Sequence, residues 1–147
     1  MSRYLLLAAA VAACTLAACQ AVSGTAVADD PEFVFGETFV LPGGQEMRNL
    51  QTGVSIRFSD VLEDSRCPTR VECFWTGQAR IEFQVARSGR QTTTVEFNTN
   101  PAPGMNVQSV RVDDVSIDLT SLDPHPESPD DGLALTDYRA TLLVRQG

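Results

Sequence analysis

The sequence contains no lysine and only one histidine, one tryptophan and two tyrosines. Its side-chain cations are 11 arginines, set against 19 acidic residues for a formal net charge of −8. Nucleic-acid binding needs a basic face that neutralises phosphates, so we expect no nucleic-acid partner. With His125 as the single histidine, metal sites built from several histidines are excluded, and little remains for a serine–histidine–aspartate triad.

Motifs of catalysis and cofactor binding are also missing. The chain has no glycine-rich phosphate loop, no dinucleotide fingerprint and no visible nucleophile–base pair. The acidic pairs Asp113-Asp114 and Asp130-Asp131 carry oxygen ligands that calcium prefers, but their spacing matches no known calcium loop, and solvated turn residues are the favoured interpretation. We therefore expect no enzymatic activity, no catalytic residue, no cofactor and no metal.

The amino terminus has the organisation of a secretory signal. Arg3 precedes an apolar run from Tyr4 to Ala13, and the small residues Ala17 and Ala18 directly precede Cys19. A charged start, a short apolar stretch and small residues before a cleavage point are typical of signal peptides. The apolar run is shorter than the roughly 20 residues that a transmembrane helix needs.

The tetrapeptide Leu16-Ala17-Ala18-Cys19 resembles the lipobox of bacterial lipoproteins. The resemblance implies that residues 1–18 are removed as a signal peptide, that the Cys19 sulfur receives a diacylglycerol, and that the new amine receives a fatty acyl chain such as palmitate. The stretch Val11 to Cys14 also fits the pattern, but Cys19 leaves a fuller apolar region and has leucine three positions before the cut. Cleavage as an ordinary secreted protein is the alternative.

The residues after Cys19 predict where the protein resides. Two or three acyl chains hold a protein durably at a membrane. In Gram-negative lipoproteins an aspartate after the cysteine tends to cause inner-membrane retention, so Gln20 favours the outer membrane, facing the periplasm. Residues 19–31 are small and polar and predict a flexible tether to a domain at 32–147. Because Arg3 is the one charged residue in 1–18, the mature chain has 10 arginines and 19 acidic residues, a net charge of −9.

The domain consists of short alternating runs broken by glycine, proline, asparagine and aspartate, which is typical of β-strands. We expect about seven strands, at 33–41, 53–62, 78–86, 91–97, 107–112, 115–119 and 137–144. The runs on either side of Ser88-Gly89-Arg90 predict a hairpin. No segment has a convincing helical stripe. The pattern predicts an all-β domain, a single antiparallel β-sandwich of the immunoglobulin-like type, with a small closed barrel as the second choice.

If Cys19 is lipidated and Cys14 is removed, Cys67 and Cys73 are the two thiols that remain. An even pair in an exported protein is expected to form a disulfide. In the chain-entropy model so small a ring contributes about 2–2.5 kcal/mol, so we expect the bridge to fix a local shape. A zinc site needs more ligands, and a redox pair normally has two residues between its cysteines, where this pair has five.

The segment around these cysteines carries a distinctive motif. Asp64-Ser65-Arg66-Cys67-Pro68, followed by V-x-C-x-W-x-G-x-A at residues 71–79, resembles a group of small, functionally uncharacterised bacterial lipoproteins and exported proteins. These proteins also carry a late L-x-P-x-P stretch and a terminal D-Y-x-a-x-L-x-V strand, which residues 122–126 and 137–144 match. The resemblance covers nearly the whole mature domain. It implies fold and location but supplies no activity.

Two interpretations of the cysteine segment stay open. In the structural one, Asp64 and Arg66 form a carboxylate–guanidinium pair that braces the loop, and Trp75 packs over the disulfide as a core anchor. In the functional one, Asp64, Arg66, Arg70 and Trp75 belong to a recognition loop. A small ring reduces the entropy lost on binding, so Arg70 could also be presented as in a protease inhibitor.

The sequence thus predicts a lipid-anchored binding or structural module of the cell envelope with an unidentified ligand. Its expected partners are the membrane, through the lipid anchor, and an envelope protein. The alternative is a protease inhibitor or other ligand-capturing module that uses the loop from Cys67 to Cys73.

Overall fold

The computed structural model describes residues 31–147; the predicted signal peptide, Cys19 and residues 20–30 lie outside the described residues. The described part contains eight strands and one 3-10 helix at Leu135–Asp137. The strands are β1 Thr38–Pro42, β2 Glu46–Asn49, β3 Val54–Asp64, β4 Ala79–Arg87, β5 Thr93–Asn98, β6 Ser109–Val112, β7 Val115–Asp123 and β8 Arg139–Gln146. In this part of the chain no helix has the length and apolar character needed to cross a membrane.

The strands form two four-stranded antiparallel sheets that pack face to face. One sheet has the order β2-β3-β4-β5, and the other has the order β1-β8-β7-β6. The predicted β-sandwich is therefore confirmed, and the described residues form no closed barrel. The predicted hairpin is also confirmed, because β4 and β5 pair across the turn that contains Gly89.

The core follows from the period-two alternation of the strands. In β4 every second side chain from Ala79 to Val85 is buried, and β8 buries alternate residues from Ala140 to Val144. Successive side chains of a strand point to opposite faces, so each sheet contributes one apolar face to the core. The Phe83 ring stacks on Phe58 with centroids 4.8 Å apart and meets Phe97 edge to face at 5.4 Å.

The first part of the domain differs from the predicted strand pattern. The run 33–41 was expected to be one strand, but β1 begins only at Thr38 because residues 35–37 form a turn with Gly36 at φ +84°. Strand β2 was not predicted, since Met47 is its one apolar residue and gives no alternating pattern. The domain consequently has eight strands where about seven were expected.

The two ends of the sandwich, here called proximal and distal, are formed by different segments of the chain. At the proximal end, the Pro31 carbonyl accepts a hydrogen bond from the Arg48 amide (3.0 Å), β3 begins at Val54, and the β4–β5 turn follows Arg87. At the distal end β3 finishes at Asp64, after 11 residues. A strand of this length spans roughly 30 Å. The loops after β3 and β7 therefore lie at the end of the molecule opposite to Pro31.

Candidate functional site

The cysteine loop, defined here as residues 65–78, extends the β3–β4 hairpin at the distal end. The Ser65 amide donates to the Gln78 carbonyl (2.7 Å), and the Cys67 amide donates to the Thr76 carbonyl (3.0 Å). Gly77 has φ +67°, and a Cβ atom at this position would lie 1.7 Å from the Ser65 carbonyl oxygen. The two sides of the hairpin therefore approach closely at Gly77, and the residue must be glycine.

A small ring closes the far part of this loop. Cys67 and Cys73 lie at disulfide distance, with their Cα atoms 6.0 Å apart. The ring is also bound to the segment after β7, because the Thr69 amide donates to the Pro126 carbonyl at 3.0 Å. His125 contributes to the same contact, since its Nε2 atom lies 2.8 Å from the Cys67 carbonyl oxygen.

The base of the loop is held by a buried ion pair between Arg66 and Asp64. Nε and Nη2 of Arg66 donate to the two Asp64 carboxylate oxygens at 2.8 and 2.7 Å, and the side chains are only 9% and 7% exposed. The guanidinium also donates to the carbonyls of Leu122 and Pro124, both at 2.8 Å. The structure thus contains the expected carboxylate–guanidinium pair, and the pair ties β3 to the end of β7.

Tyr138, which lies next to β8, also contributes to this network. Its hydroxyl donates to Asp64 Oδ2 at 3.0 Å, immediately before β8 begins. Burial, together with the neighbouring Asp64 carboxylate, raises the pKa of Tyr138 from 10.0 to about 12. The phenol therefore stays protonated and keeps donating to Asp64 throughout the ordinary pH range.

This pKa shift predicts an alkaline loss of stability. A folded-state pKa above the unfolded value contributes stability that is complete below pH 10 and disappears as the pH rises from 10 to about 12. With Tyr4 replaced by phenylalanine, Tyr138 is the single tyrosine, and its absorbance titration should have a midpoint near pH 12. A Tyr138→Phe chain should lack this contribution to the pH dependence of unfolding. Titration of the folded protein at the ordinary tyrosine pKa would contradict the network.

The aromatic residues at the tip of the loop are exposed. Phe74 is 101% exposed and Trp75 is 75% exposed. The expectation that Trp75 packs over the disulfide as a core anchor is therefore wrong. Both residues lie in the bend beyond the last hairpin pair, Cys67 with Thr76. The tip therefore presents two adjacent aromatic side chains to solvent.

Arg70, the remaining residue of the predicted recognition loop, lies on the side of the ring. The Val71 amide donates to the Pro68 carbonyl at 3.2 Å, which places Arg70 inside a tight turn. Its own amide donates to the Glu127 carbonyl at 3.2 Å, and its exposed guanidinium pairs with the Glu127 carboxylate. Both the backbone and the side chain of Arg70 are thus engaged within the molecule.

Three of the four acidic residues considered for calcium, Asp113, Asp114 and Asp131, have other contacts. At the proximal end Asp113 pairs with Arg90 and Asp114 with Arg87, both at 2.7 Å, and the Arg87 hydrogen bond lowers the pKa of Asp114 to about 2. At the distal end Asp131 accepts two backbone amides of its own turn, at 2.6 and 2.8 Å. Over residues 31–147, no three or more histidine, cysteine or acidic side chains are arranged to hold a metal ion.

A groove that the sequence did not predict lies beside the cysteine loop. It consists of two adjoining depressions of about 250 and 350 Å³ between the distal half of β3 and the segment 128–135. We call it the acidic groove and define it by six lining residues, which are Asp60, Glu63, Asp131, Leu133, Leu135 and Tyr138. Its acidic residues are scattered over more than 70 positions of the sequence, so no local motif indicates the site.

The fold and this geometry define an antiparallel β-sandwich with a braced aromatic loop at one end. Compared with known proteins, the chain matches no family model, no curated protein and no solved structure.

Proposed function

We propose that the protein is a lipid-anchored binding module of the cell envelope and that the cysteine loop contacts its partner. The observation that carries this proposal is the adjacent exposure of Phe74 and Trp75 on a loop with a buried, hydrogen-bonded base. Exposed aromatic pairs are unfavourable in water, and tryptophan is enriched among the residues that dominate binding energies. A loop fixed before binding loses little conformational entropy when a partner attaches.

The two ends of the sandwich support an orientation for this module. The described chain begins at Pro31 on the proximal end, whereas the loop lies roughly 30 Å away on the distal end. If Cys19 is lipidated, the 12 residues from 19 to 30 span at most about 40 Å. Attachment at the proximal end favours a loop that faces away from the lipid, toward a protein of the periplasm.

The lipid anchor is proposed on the lipobox resemblance of residues 16–19. The net charge of −9 expected for the mature chain would repel an anionic membrane surface, so acyl chains at Cys19 are the feature that would hold the protein there. The absence of aspartate after the cysteine favours the outer membrane.

The protease-inhibitor alternative is less well supported by the geometry. A segment that adds to a protein as an extended strand needs free backbone groups. Arg70 lies in a tight turn, and its amide is already bonded to Glu127. We therefore expect the purified protein at micromolar concentration not to slow a trypsin-like protease; inhibition that Arg70→Ala abolishes would instead support the alternative.

Site-specific photo-crosslinking in intact cells tests the binding proposal. A photoreactive phenylalanine analogue replaces Phe74 in one chain and Thr92, an exposed residue beside the proximal β4–β5 turn, in a matched control. We expect a discrete crosslinked product from position 74 that is absent from position 92 and that Trp75→Ser reduces at least severalfold. Identical products from both positions would contradict the proposal.

Loss of the anchor is tested in the same strain. Cys19→Ala should leave the protein unprocessed or soluble, and the position-74 product should decrease if the partner is held at the membrane. Mature Cys19→Ala protein that still needs detergent for extraction would contradict the lipid anchor but not the loop contact.

A further inference from the structure

We propose that the open edge of strand β5 binds an extended segment of a partner protein, which adds to the four-stranded sheet as a further strand. Apolar side chains at every second position of this segment would cover the side of the sandwich between β5 and β6. The inference goes beyond the proposed function, because it concerns a strand edge on the side of the domain and not the tip of the cysteine loop. It follows from free backbone groups, half-buried valines and a comparison with the opposite side of the sandwich.

The backbone of β5 has hydrogen-bonding groups that point away from its own sheet. β5 lies at the sheet edge and pairs with β4 alone. The Asn98 amide donates away from β4, to the Val107 carbonyl at 3.0 Å. Backbone groups of alternate residues in an antiparallel strand point to the same side, so those of Thr94 and Glu96 also point away from β4. Within residues 31–147 the N–H and C=O groups of Thr94 and Glu96 have no hydrogen-bond partner.

β5 also lacks the features that usually protect an edge strand. It is six residues long, contains no proline and pairs with β4 without a bulge. Its one charged side chain, that of Glu96, is already paired with Arg80 at 2.6 Å. Residues 101–109, which follow the strand, are exposed throughout, so this loop is not packed over it. An unprotected edge of this kind is a template for pairing with another chain.

The side of the sandwich between β5 and β6 has an apolar lining that is only partly covered. At the distal end β5 is hydrogen-bonded to Val107, just before β6, and at the proximal end Thr93 and Val112 line one depression of about 20 Å³. The two edge strands therefore run along the same side. Val95 of β5 and Val110 of β6 pack against the core but are only half-buried. Covering such apolar surface is favourable.

The opposite side of the sandwich shows what closes an opening of this kind. There residues 31–34 run beside β2, where the Arg48 amide donates to the Pro31 carbonyl at 3.0 Å and the Phe33 amide donates to the Arg48 carbonyl at 3.1 Å. Phe33 is 1% exposed, and its ring stacks on Phe39 of β1 with centroids 5.0 Å apart. No segment of the described chain fills the corresponding space between β5 and β6. An extended chain with alternate apolar side chains is the occupant that fits both the free backbone groups and the valines.

A second copy of the chain suits this edge less well than a different protein. A symmetric pair of β5 strands would be antiparallel, which turns the proximal ends of the two copies in opposite directions. The lipid anchors proposed at Cys19 would then lie at opposite ends of the pair, although both belong in one membrane. A segment of another protein has no such constraint. Only this choice of occupant rests on the proposed anchor.

Photo-crosslinking in intact cells tests the edge directly. A photoreactive phenylalanine analogue replaces Thr94, whose side chain is exposed and would lie within about 5.5 Å of the opposite residue of an added strand. Glu96→Pro removes an outward amide but no hydrogen bond to β4, and proline is tolerated at such edge positions. Arg80→Ala is the matched control, because it removes the same ion pair with Glu96 and leaves the amide in place.

We expect a product from position 94 that contains a second protein, with the crosslinked peptide carrying apolar residues at every second position. Glu96→Pro should reduce its yield about fivefold through the lost hydrogen bond, and Arg80→Ala should leave the yield unchanged. No product, an undiminished yield from a folded Glu96→Pro chain, or a crosslinked peptide without this alternation would overturn the proposal. A product of twice the mass of the chain would show that a second copy occupies the edge and overturn the assignment of the partner.

Val110→Thr decides the question if circular dichroism shows that Glu96→Pro impairs folding. This change keeps the shape of the side chain but places a hydroxyl against the added strand. We expect the yield from position 94 to fall about threefold, because a buried hydroxyl without a partner is unfavourable. An unchanged yield would contradict the apolar contact.

Crosslinking from both sites separates this proposal from the proposed function. Trp75→Ser should leave the position-94 product unchanged, and Glu96→Pro should leave the position-74 product unchanged. Absence of the position-94 product alone would contradict the edge contact, and absence of the position-74 product alone would contradict the loop contact. A product from position 92 that Glu96→Pro abolishes would support the edge contact and not count against the loop.

Discussion

Replacing Arg66 with alanine is expected to lower the free energy of unfolding by about 3–5 kcal/mol, a large effect for one residue. The change leaves the Asp64 carboxylate, which is only 7% exposed, without its two-point partner. It also removes the donors to the carbonyls of Leu122 and Pro124, so the link from β3 to the end of β7 is lost. Urea-induced unfolding followed by circular dichroism measures the change.

Arg80→Ala is the matched control for this prediction. Arg80 pairs with Glu96 through two hydrogen bonds, but both side chains are about 40% exposed, so solvent screens the pair. Its removal should therefore cost much less stability than the removal of Arg66. Arg66→Lys keeps the charge but loses the planar guanidinium group. Its loss in the free energy of unfolding should lie between those of Arg66→Ala and Arg80→Ala. A loss for Arg66→Ala as small as that for Arg80→Ala would show that the pair does not hold the loop.

Gly77→Ala is the second substitution with a large expected effect. Its backbone is left-handed, at φ +67°, which costs an alanine roughly 1–2 kcal/mol. The added Cβ atom would also lie 1.7 Å from the Ser65 carbonyl oxygen, so the hairpin must open at its distal end. We expect a total loss of about 3 kcal/mol in the free energy of unfolding, together with a weaker crosslink from position 74.

Gly89→Ala separates the cost of a left-handed backbone from the cost of the Cβ contact. Gly89 has a similar backbone, at φ +77°, but a Cβ atom there meets nothing within 4 Å. It should therefore show the conformational cost alone, about 1–2 kcal/mol, and leave the distal end unchanged. Equal losses for the two glycines would mean that the contact between Gly77 and Ser65 does not constrain the loop.

Most of the sandwich could be predicted from the sequence because alternation is a local signal. The buried faces of β4 and β8 are visible as every second residue of an apolar run. Strand β2 carries no such signal, because its pairing with β3 depends on hydrogen bonds and its one apolar side chain is Met47. The turn at Gly36 likewise could not be predicted, because it interrupts the mostly apolar run 33–41, whose pattern is that of a single strand.

The candidate site was predictable only where its contacts are local. Asp64 and Arg66 are two residues apart, and their pairing follows from complementary charge. The hydrogen bond from Tyr138 and the acidic groove both depend on how β3, β7 and β8 come together in the fold. The spacing of residues along the sequence does not show this arrangement. The expectation for Trp75 was wrong because an aromatic residue packs on a disulfide when the bridge spans the core, whereas this ring closes locally beyond the end of both sheets.

The proposed function requires the folded domain to present the aromatic tip of the cysteine loop to solvent. Trp75 is the single tryptophan, so fluorescence excited at wavelengths that tyrosine does not absorb reports on this tip alone. We expect acrylamide to quench Trp75 almost as strongly in the native protein as in urea, with little change in emission wavelength on folding. Blue-shifted native emission and protection from quenching would contradict it, because Trp75 would then be buried.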